Sequence, residues 1–160
     1  MGNRRMKMKI MAAAMAATMA ASGAWAQAVA VTTRIFSETF VTGKDGAIER
    51  VLKPAAAITP GDRIVYVVTY RNGGRQPAAD VVISNPISKH VELIGDETAG
   101  VQMSVDGGKT FGALQTLTVR GANGASRPAR RTDVTNLRWI LTQPVAAGAE
   151  GQVTFKARLK

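Results

Sequence analysis

The chain of 160 residues contains no cysteine and a single histidine, His90. Without cysteine there can be no disulfide, thiol nucleophile, iron–sulfur cluster or lipid attached to cysteine. A single histidine also excludes a metal site built from several histidines and a two-histidine proton relay. Helical periodicity is almost absent after residue 27, which argues against a helical domain. We therefore expect no enzymatic activity, no cofactor and no bound metal.

The segment from Met1 to Ala26 has the three zones of a secretory signal peptide. Cationic residues at the start are Arg4, Arg5, Lys7 and Lys9. An uncharged run of about 12 residues follows, which is shorter than the roughly 20 that a membrane-spanning helix needs. Small residues at Ala24 and Ala26 predict cleavage after Ala26, with cleavage after Ala28 as the alternative. Met6 and Met8 are alternative starts. We expect an exported protein in the periplasm, on the cell surface or outside the cell.

Removing the signal peptide changes the charge of the chain. The formal net charge falls from +10 to +6, because four cationic residues leave and 17 remain against 11 acidic ones. This moderate charge argues against a nucleic-acid binder. The remaining chain, from Gln27 to Lys160, has the size of one domain and can bury a core without disulfides.

Alternating apolar residues between turns predict strands throughout the mature chain. The clearest segment is 63–71, where Ile64, Tyr66 and Val68 alternate with Val65 and Val67. Both faces of this segment are largely apolar, so we expect it to be a central strand. The pattern as a whole predicts an all-β fold, specifically an immunoglobulin-like antiparallel β-sandwich of about seven to nine strands.

The rest of the chain divides by the same criteria. We expect the signal peptide at 1–26, the N-terminal arm at 27–54 and the sandwich domain at 55–160. Further strands are expected at 80–84, 90–94, 101–105, 114–120, 136–142 and 152–159, with 101–105 pairing with 110–111 and a loop at 121–133. Aromatic residues at inward strand positions are expected in the core: Tyr66, Tyr70, Trp139 and Phe155.

The N-terminal arm is apolar and rich in residues that favour strands. Residues 29–41 are followed by a turn at 43–46 and a second strand at 47–52, a pattern typical of a hairpin. Its apolar residues include Val29, Val31, Ile35, Phe36 and Phe40. Such a strand must pair with something. Its partner is either its own domain, as an extra edge strand, or the sheet of a neighbouring subunit, as in donor-strand assembly.

The pattern also resembles a known family across residues 55–160. Matching positions are Pro60-Gly61-Asp62, Tyr66, Asn72, Gly74, Val81-Val82-Ile83-Ser84-Asn85, Trp139, Ala147-Gly148 and Val153-Thr154-Phe155. These resemble the conserved-repeat domain of unknown function 11, a family of secreted bacterial and archaeal modules. The resemblance implies an immunoglobulin-like fold and a cell-envelope or extracellular setting, and it implies no reaction. Asn85 stands where the family usually has aspartate, and one copy stands where the family has tandem repeats.

Two groups of polar residues are candidates for chemistry. Residues 104–111 match the Asp-box pattern, Ser-x-Asp-x-Gly-x-Thr-aromatic, which predicts a structural turn in which Ser and Asp side chains bind backbone amides. Asp96, Glu97 and Asp106 are too few for a calcium site, and nothing sets their separation as a glycosidase pair. We expect them to be solvated turn residues.

An arginine-rich loop is the last candidate. Arg120, Arg127, Arg130 and Arg131 lie in or beside residues 121–133. Arginine binds phosphate and carboxylate groups well, so this loop could bind anionic glycan or lipopolysaccharide. The simpler interpretation is a flexible basic loop that aids solubility.

Together these patterns favour an exported, non-enzymatic structural or adhesive module of the cell envelope or the extracellular space, which binds other envelope proteins or itself by strand addition. The alternative is a module that binds carbohydrate or an anionic polymer through the Arg127–Arg131 loop.

Overall fold

The structure, a computed structural model, describes residues 29–55, 57–95, 97–122 and 124–160. The predicted signal peptide and alternative starts lie outside these residues. Within them the chain forms ten strands and two short 3₁₀ turns, so the all-β prediction is confirmed. In this part of the chain there is no helix that is long and apolar enough to cross a bilayer.

The strands form antiparallel sheets. Their bounds are β1 Val29–Thr42, β2 Ile48–Pro54, β3 Arg63–Asn72, β4 Val82–Pro86, β5 Val91–Gly95, β6 Val101–Ser104, β7 Thr118–Arg120, β8 Ser126–Pro128, β9 Asn136–Ile140 and β10 Glu150–Leu159. Five of them form one sheet in the order β2-β1-β3-β10-β5. A three-stranded sheet has the order β4-β9-β6, and β7 pairs with β8. The finer prediction, an immunoglobulin-like sandwich, stays a prediction.

Strand β3 occupies the centre of the five-stranded sheet, as its two apolar faces predict. It pairs with β1 on one side and with β10 on the other. Ile64 and Val65 are adjacent in sequence and therefore point to opposite faces, yet both are buried. Burial on both faces agrees with the central position of this strand in the sheet.

Side chains from both sheets meet in one hydrophobic core. Phe155 of β10 and Leu137 of β9 are completely buried. The ring of Tyr66 stacks on Phe155 with 4.4 Å between centroids. Trp139 packs beside Phe155, and its indole nitrogen donates to the Thr98 carbonyl at 3.0 Å. A buried aromatic residue removes a large apolar area from water, so this cluster stabilises the fold.

Asn72 organises the turn that follows β3. Its side chain is buried, and its amide nitrogen donates to the carbonyls of Gln76 and Val145, both at 2.8 Å. Its amide oxygen accepts from the Gly74 backbone N–H at 2.9 Å. Every polar atom of this buried amide therefore has a partner, and the loops around β3 are held together.

Three local predictions differ from the structure. Residues 114–120 do not form one strand, since Leu114–Thr116 is a 3₁₀ turn and only Thr118–Arg120 is extended. Leu114 and Leu117 both pack against the core, and their three-residue spacing suits a 3₁₀ turn rather than a strand.

The predicted loop at 121–133 contains strand β8 and a 3₁₀ turn at Arg131–Asp133. With β8, the described residues of 55–160 contain eight strands, β3 to β10, which lies within the expected seven to nine. Residues 101–105 do not pair with 110–111, because β6 meets the segment that follows it through a single bridge between Met103 and Gly112.

Candidate functional site

The N-terminal arm forms a hairpin that extends beyond the rest of its sheet. Strand β1 pairs with β3 from Val29 to Ser37 and with β2 from Phe36 to Thr42. Only Phe36 and Ser37 belong to both ladders, so the distal part of the hairpin is a two-stranded ribbon. At its tip the Gly43 N–H donates to the Ala47 carbonyl at 2.7 Å. The arm is thus paired within its own domain.

This hairpin carries most of the exposed large hydrophobic residues in the described part of the chain. Eight large hydrophobic residues are exposed in the described residues as a whole. Six of the eight lie on β1 and β2: Val31, Ile35, Phe40, Val41, Ile48 and Leu52. Ile48 and Phe40 are the most open, at 76% and 56% exposure. Concentrated exposed apolar residues are typical of interaction surfaces, whereas scattered ones are ordinary.

Glu38 anchors the base of the ribbon to the sheet. Its carboxylate is buried and contacts Arg50 Nε at 2.7 Å, Lys156 Nζ at 2.8 Å and Arg63 Nε at 3.0 Å. These three cations come from β2, β10 and β3, so one carboxylate on β1 ties four strands together. We call Glu38, Arg50, Arg63 and Lys156 the Glu38 cluster.

The cations determine the ionisation of Glu38. Burial by itself would raise the pKa of this carboxyl, but hydrogen bonds from Lys156 and Arg63 and the positive charge of Lys156 and Arg50 outweigh it. The pKa of Glu38 is therefore lower than its ordinary value, and the carboxylate is charged at neutral pH. The sequence patterns did not predict this cluster. A single acidic residue in an apolar strand, with arginine in the paired strand, was the only signal.

The four arginines of the predicted anion site do not form one open cluster. Arg127 makes a bidentate contact with Asp133, with both distances 2.7 Å. Arg131 forms an ion pair with Glu97. Arg120 and Arg130 are exposed, and the ion pairs of the described residues do not include them. Two of the four arginines are thus neutralised by neighbouring carboxylates.

Asp133 is central to this loop. The hydrogen bond from Arg127, helped by the backbone N–H of Arg130, lowers the pKa of Asp133 to about 2. The Arg130 N–H reaches Asp133 Oδ2 at 2.8 Å. The Asp133 carboxylate therefore holds both the Arg127 side chain and the Arg130 backbone in place. These contacts give regular structure to a loop that is rich in glycine, alanine and arginine.

The Asp-box segment has the hydrogen bonds that the sequence pattern predicts. Ser104 is fully buried, donates to Asp106 Oδ1 at 2.7 Å and accepts from the Gly108 N–H at 2.9 Å. Asp106 accepts from the Lys109 and Thr110 N–H groups, both at 3.0 Å, and from the Thr110 hydroxyl at 2.6 Å. These bonds hold the pKa of Asp106 far below its ordinary value. The segment is a structural turn.

The remaining acidic candidates do not converge. Glu97 is engaged by Arg131 and Asp106 by its own turn. Asp96 lies outside the described residues. In the described ranges, no group of three or more His, Asp or Glu side chains is arranged to hold a metal ion.

No protein-family model matches the chain, and the searches of curated proteins and of solved structures find no significant match. The resemblance to the conserved-repeat family stays a prediction.

Proposed function

We propose that this chain is an exported, non-enzymatic module of the cell envelope, with a structural or adhesive role, which contacts other proteins through its β1–β2 hairpin. The observation that carries the proposal is the concentration of exposed hydrophobic residues on that hairpin. An exported setting is supported by the signal-peptide pattern from Met1 to Ala26.

Two features of the hairpin suit an adhesive role. Its apolar residues lie on both faces of the ribbon, because Phe40 and Val41 are adjacent in the strand and both are exposed. Its base is held by the Glu38 cluster, which reduces the conformational entropy that binding would cost. The ribbon is therefore presented in a defined orientation.

The proposal predicts export, processing and hairpin-dependent association. Expressed from Met1 in a bacterial host, the chain should lose its N-terminal segment and co-sediment with cell-envelope material. A variant with Phe40→Ser and Ile48→Ser removes the two most exposed apolar side chains and should be released into the soluble fraction. N-terminal sequencing and quantitative blotting of both fractions measure the two effects.

A matched control is available on the other sheet. Val82 and Ile140 are exposed cross-strand neighbours, at 50% and 48% exposure. Val82→Ser with Ile140→Ser also removes two exposed apolar side chains and should leave envelope association unchanged. An unprocessed chain that starts at Met1 inside the cell, or equal loss in both double variants, would contradict the proposal.

A second function is favoured by the position of Arg120. Arg120 lines a groove of about 500 Å³ whose other polar residues are Asp106, Thr110, Thr116 and Thr118, and the Asp106 carboxylate is engaged by the Thr110 hydroxyl at 2.6 Å. A cation beside three threonine residues can bind the charged and hydroxyl groups of an acidic glycan. We therefore retain the anionic-polymer function, carried by Arg120 and Arg130 instead of all four arginines.

Retention on acidic glycan beads at low salt tests this second function. Arg120→Gln with Arg130→Gln should weaken retention severalfold, and added salt should abolish it because these groups are exposed. Arg34→Gln with Arg75→Gln, exposed on other parts of the surface, is the control for net charge. Equal loss in both pairs would show that only net charge matters.

A further inference from the structure

Strand β2 leaves one edge of the five-stranded sheet open. It is the terminal strand in the order β2-β1-β3-β10-β5, and in the described residues no strand pairs with its outer side. An open edge presents backbone N–H and C=O groups that can pair with another strand. The sequence of the edge, Ile48 to Pro54, is IERVLKP.

The register of the hairpin establishes which backbone groups face outward. The Gly43 N–H donates to Ala47 O at one end of the ladder, and the Ala55 N–H donates to Ile35 O at the other. Hydrogen-bonded pairs alternate along an antiparallel ladder, so Glu49, Val51 and Lys53 bond inward to β1. The backbone groups of Ile48, Arg50 and Leu52 therefore point to the open edge.

A second β2 strand fits this edge in one register better than in its neighbours. With the two strands antiparallel and the two Val51 residues opposite each other, Arg50 hydrogen-bonds with Leu52 of the second copy. Glu49 then lies opposite Lys53 of the second copy, and the same pair recurs across the two-fold axis. Val51, Glu49 and Lys53 occupy non-hydrogen-bonded positions, where opposed side chains are closest.

The neighbouring registers lose this complementarity. Shifting the axis to Arg50 places two arginines opposite each other, which is destabilising. Shifting it to Leu52 moves Lys53 opposite Val51 and leaves Glu49 opposite Ala55. Pro54 has no N–H, but in the Val51 register it lies opposite Ile48, whose N–H can donate to the Pro54 carbonyl.

We propose that two copies of this chain pair through the outer edges of their β2 strands, antiparallel, about a two-fold axis at Val51, with two Glu49–Lys53 ion pairs across the junction. The resulting continuous sheet would also bring the exposed Ile48 and Leu52 side chains of the two copies together. The inference rests on the proposed function, because it names a second copy as one partner of the hairpin.

Charge reversal tests the register directly. Glu49→Lys places lysines opposite each other in both pairs, and Lys53→Glu places glutamates opposite each other. Each single variant should weaken dimerisation at least about tenfold. The double variant Glu49→Lys with Lys53→Glu restores opposite charges and should dimerise as the wild type does. A mixture of the two single variants should form heterodimers, since every cross-strand pair is then complementary.

Sedimentation velocity across a concentration series measures these effects on the protein purified in the form that the cell accumulates. Glu150→Lys and Lys89→Glu, both exposed and outside the β1–β2 hairpin, are charge-matched controls and should not change dimerisation. Circular dichroism verifies that each variant keeps its strands.

Several outcomes would overturn the inference. A wild-type protein that is monomeric at every concentration would show that Lys53 and Pro54 protect the edge from pairing, which is a known use of both residues. A dimer that withstands both single reversals would place the contact elsewhere. Envelope association that persists in a monomeric protein would overturn the dimer and leave the proposed function intact.

Discussion

Two regions of the five-stranded sheet, the core around Phe155 and the β1–β2 hairpin, differ in whether their hydrophobic residues are buried. Around Phe155, side chains of both sheets are packed out of water. On the β1–β2 hairpin, Phe40, Ile48 and their neighbours remain exposed on a ribbon that extends beyond β3. The same alternating pattern in the sequence thus produces a core in one region and an apolar surface in the other. What differs is whether a second layer covers the strand.

The difference in burial implies a difference in what each region contributes. Core residues stabilise the fold, and hairpin residues are available for contacts with other molecules. Polar interactions at the base of the hairpin, above all the Glu38 cluster, take the place of packing there. Substitutions in the core should therefore lower the stability of the fold, whereas substitutions of exposed hairpin residues should reduce association with other molecules.

The largest effect is expected in the core. Phe155→Ala removes a completely buried ring that stacks on Tyr66, and it should lower the free energy of unfolding by about 3–5 kcal/mol. Urea denaturation followed by circular dichroism measures this loss. A loss below about 1 kcal/mol would contradict the packing described around this ring.

The next effect is expected at the base of the hairpin. Glu38→Gln removes the charge that three cations surround, and it should cost about 2 kcal/mol, less than a fully buried pair because two of the cations are partly exposed. Glu150→Gln, an exposed control, should cost almost nothing.

This contribution should depend on pH. Because folding lowers the pKa of Glu38 from its ordinary value of 4.5, its stabilisation is complete well above that pH. This stabilisation is lost as the pH falls through the lower pKa that Glu38 has in the folded state. The difference between wild type and Glu38→Gln should therefore shrink in acid. A constant difference from neutral to acidic pH would show that the carboxylate charge is not the cause.

A smaller effect is expected in the Asp-box turn. Ser104→Ala removes the buried hydroxyl that donates to Asp106 and accepts from the Gly108 N–H, and about 1 kcal/mol of stability should be lost. Chemical denaturation of Ser104→Ala and of the wild type measures this loss. Ser126→Ala, in the exposed strand β8, is the matched control and should not differ from wild type.

The smallest effect on stability is expected on the hairpin itself. Ile48→Ser exchanges a side chain that is 76% exposed, so the free energy of unfolding should change by less than about 0.5 kcal/mol. Envelope association should nevertheless decrease. A large loss of stability would show that Ile48 is packed in the folded protein, and the contrast between the two regions would fail.

Local signals predicted the strands well where one pattern dominated. The alternation from Ile64 to Tyr70 predicted a central strand, and the glycines at 43 and 46 predicted the hairpin. Residues 114–120 were predicted wrongly, since Leu114 and Leu117 follow a spacing of three. In the loop at 121–133, Asp133 holds Arg127 and the Arg130 N–H, and composition alone gives no sign of such contacts.

The sequence by itself determines the all-β class, the apolar hairpin and the Asp-box turn, because these features depend on residues close together in the chain. Three other features required the folded arrangement: β1 lies between β2 and β3, the cations Arg50, Arg63 and Lys156 converge on Glu38, and the apolar residues Phe40 and Ile48 of the hairpin are exposed. These features depend on strand order and register. Both are set by packing between distant segments, for which a local pattern carries no information.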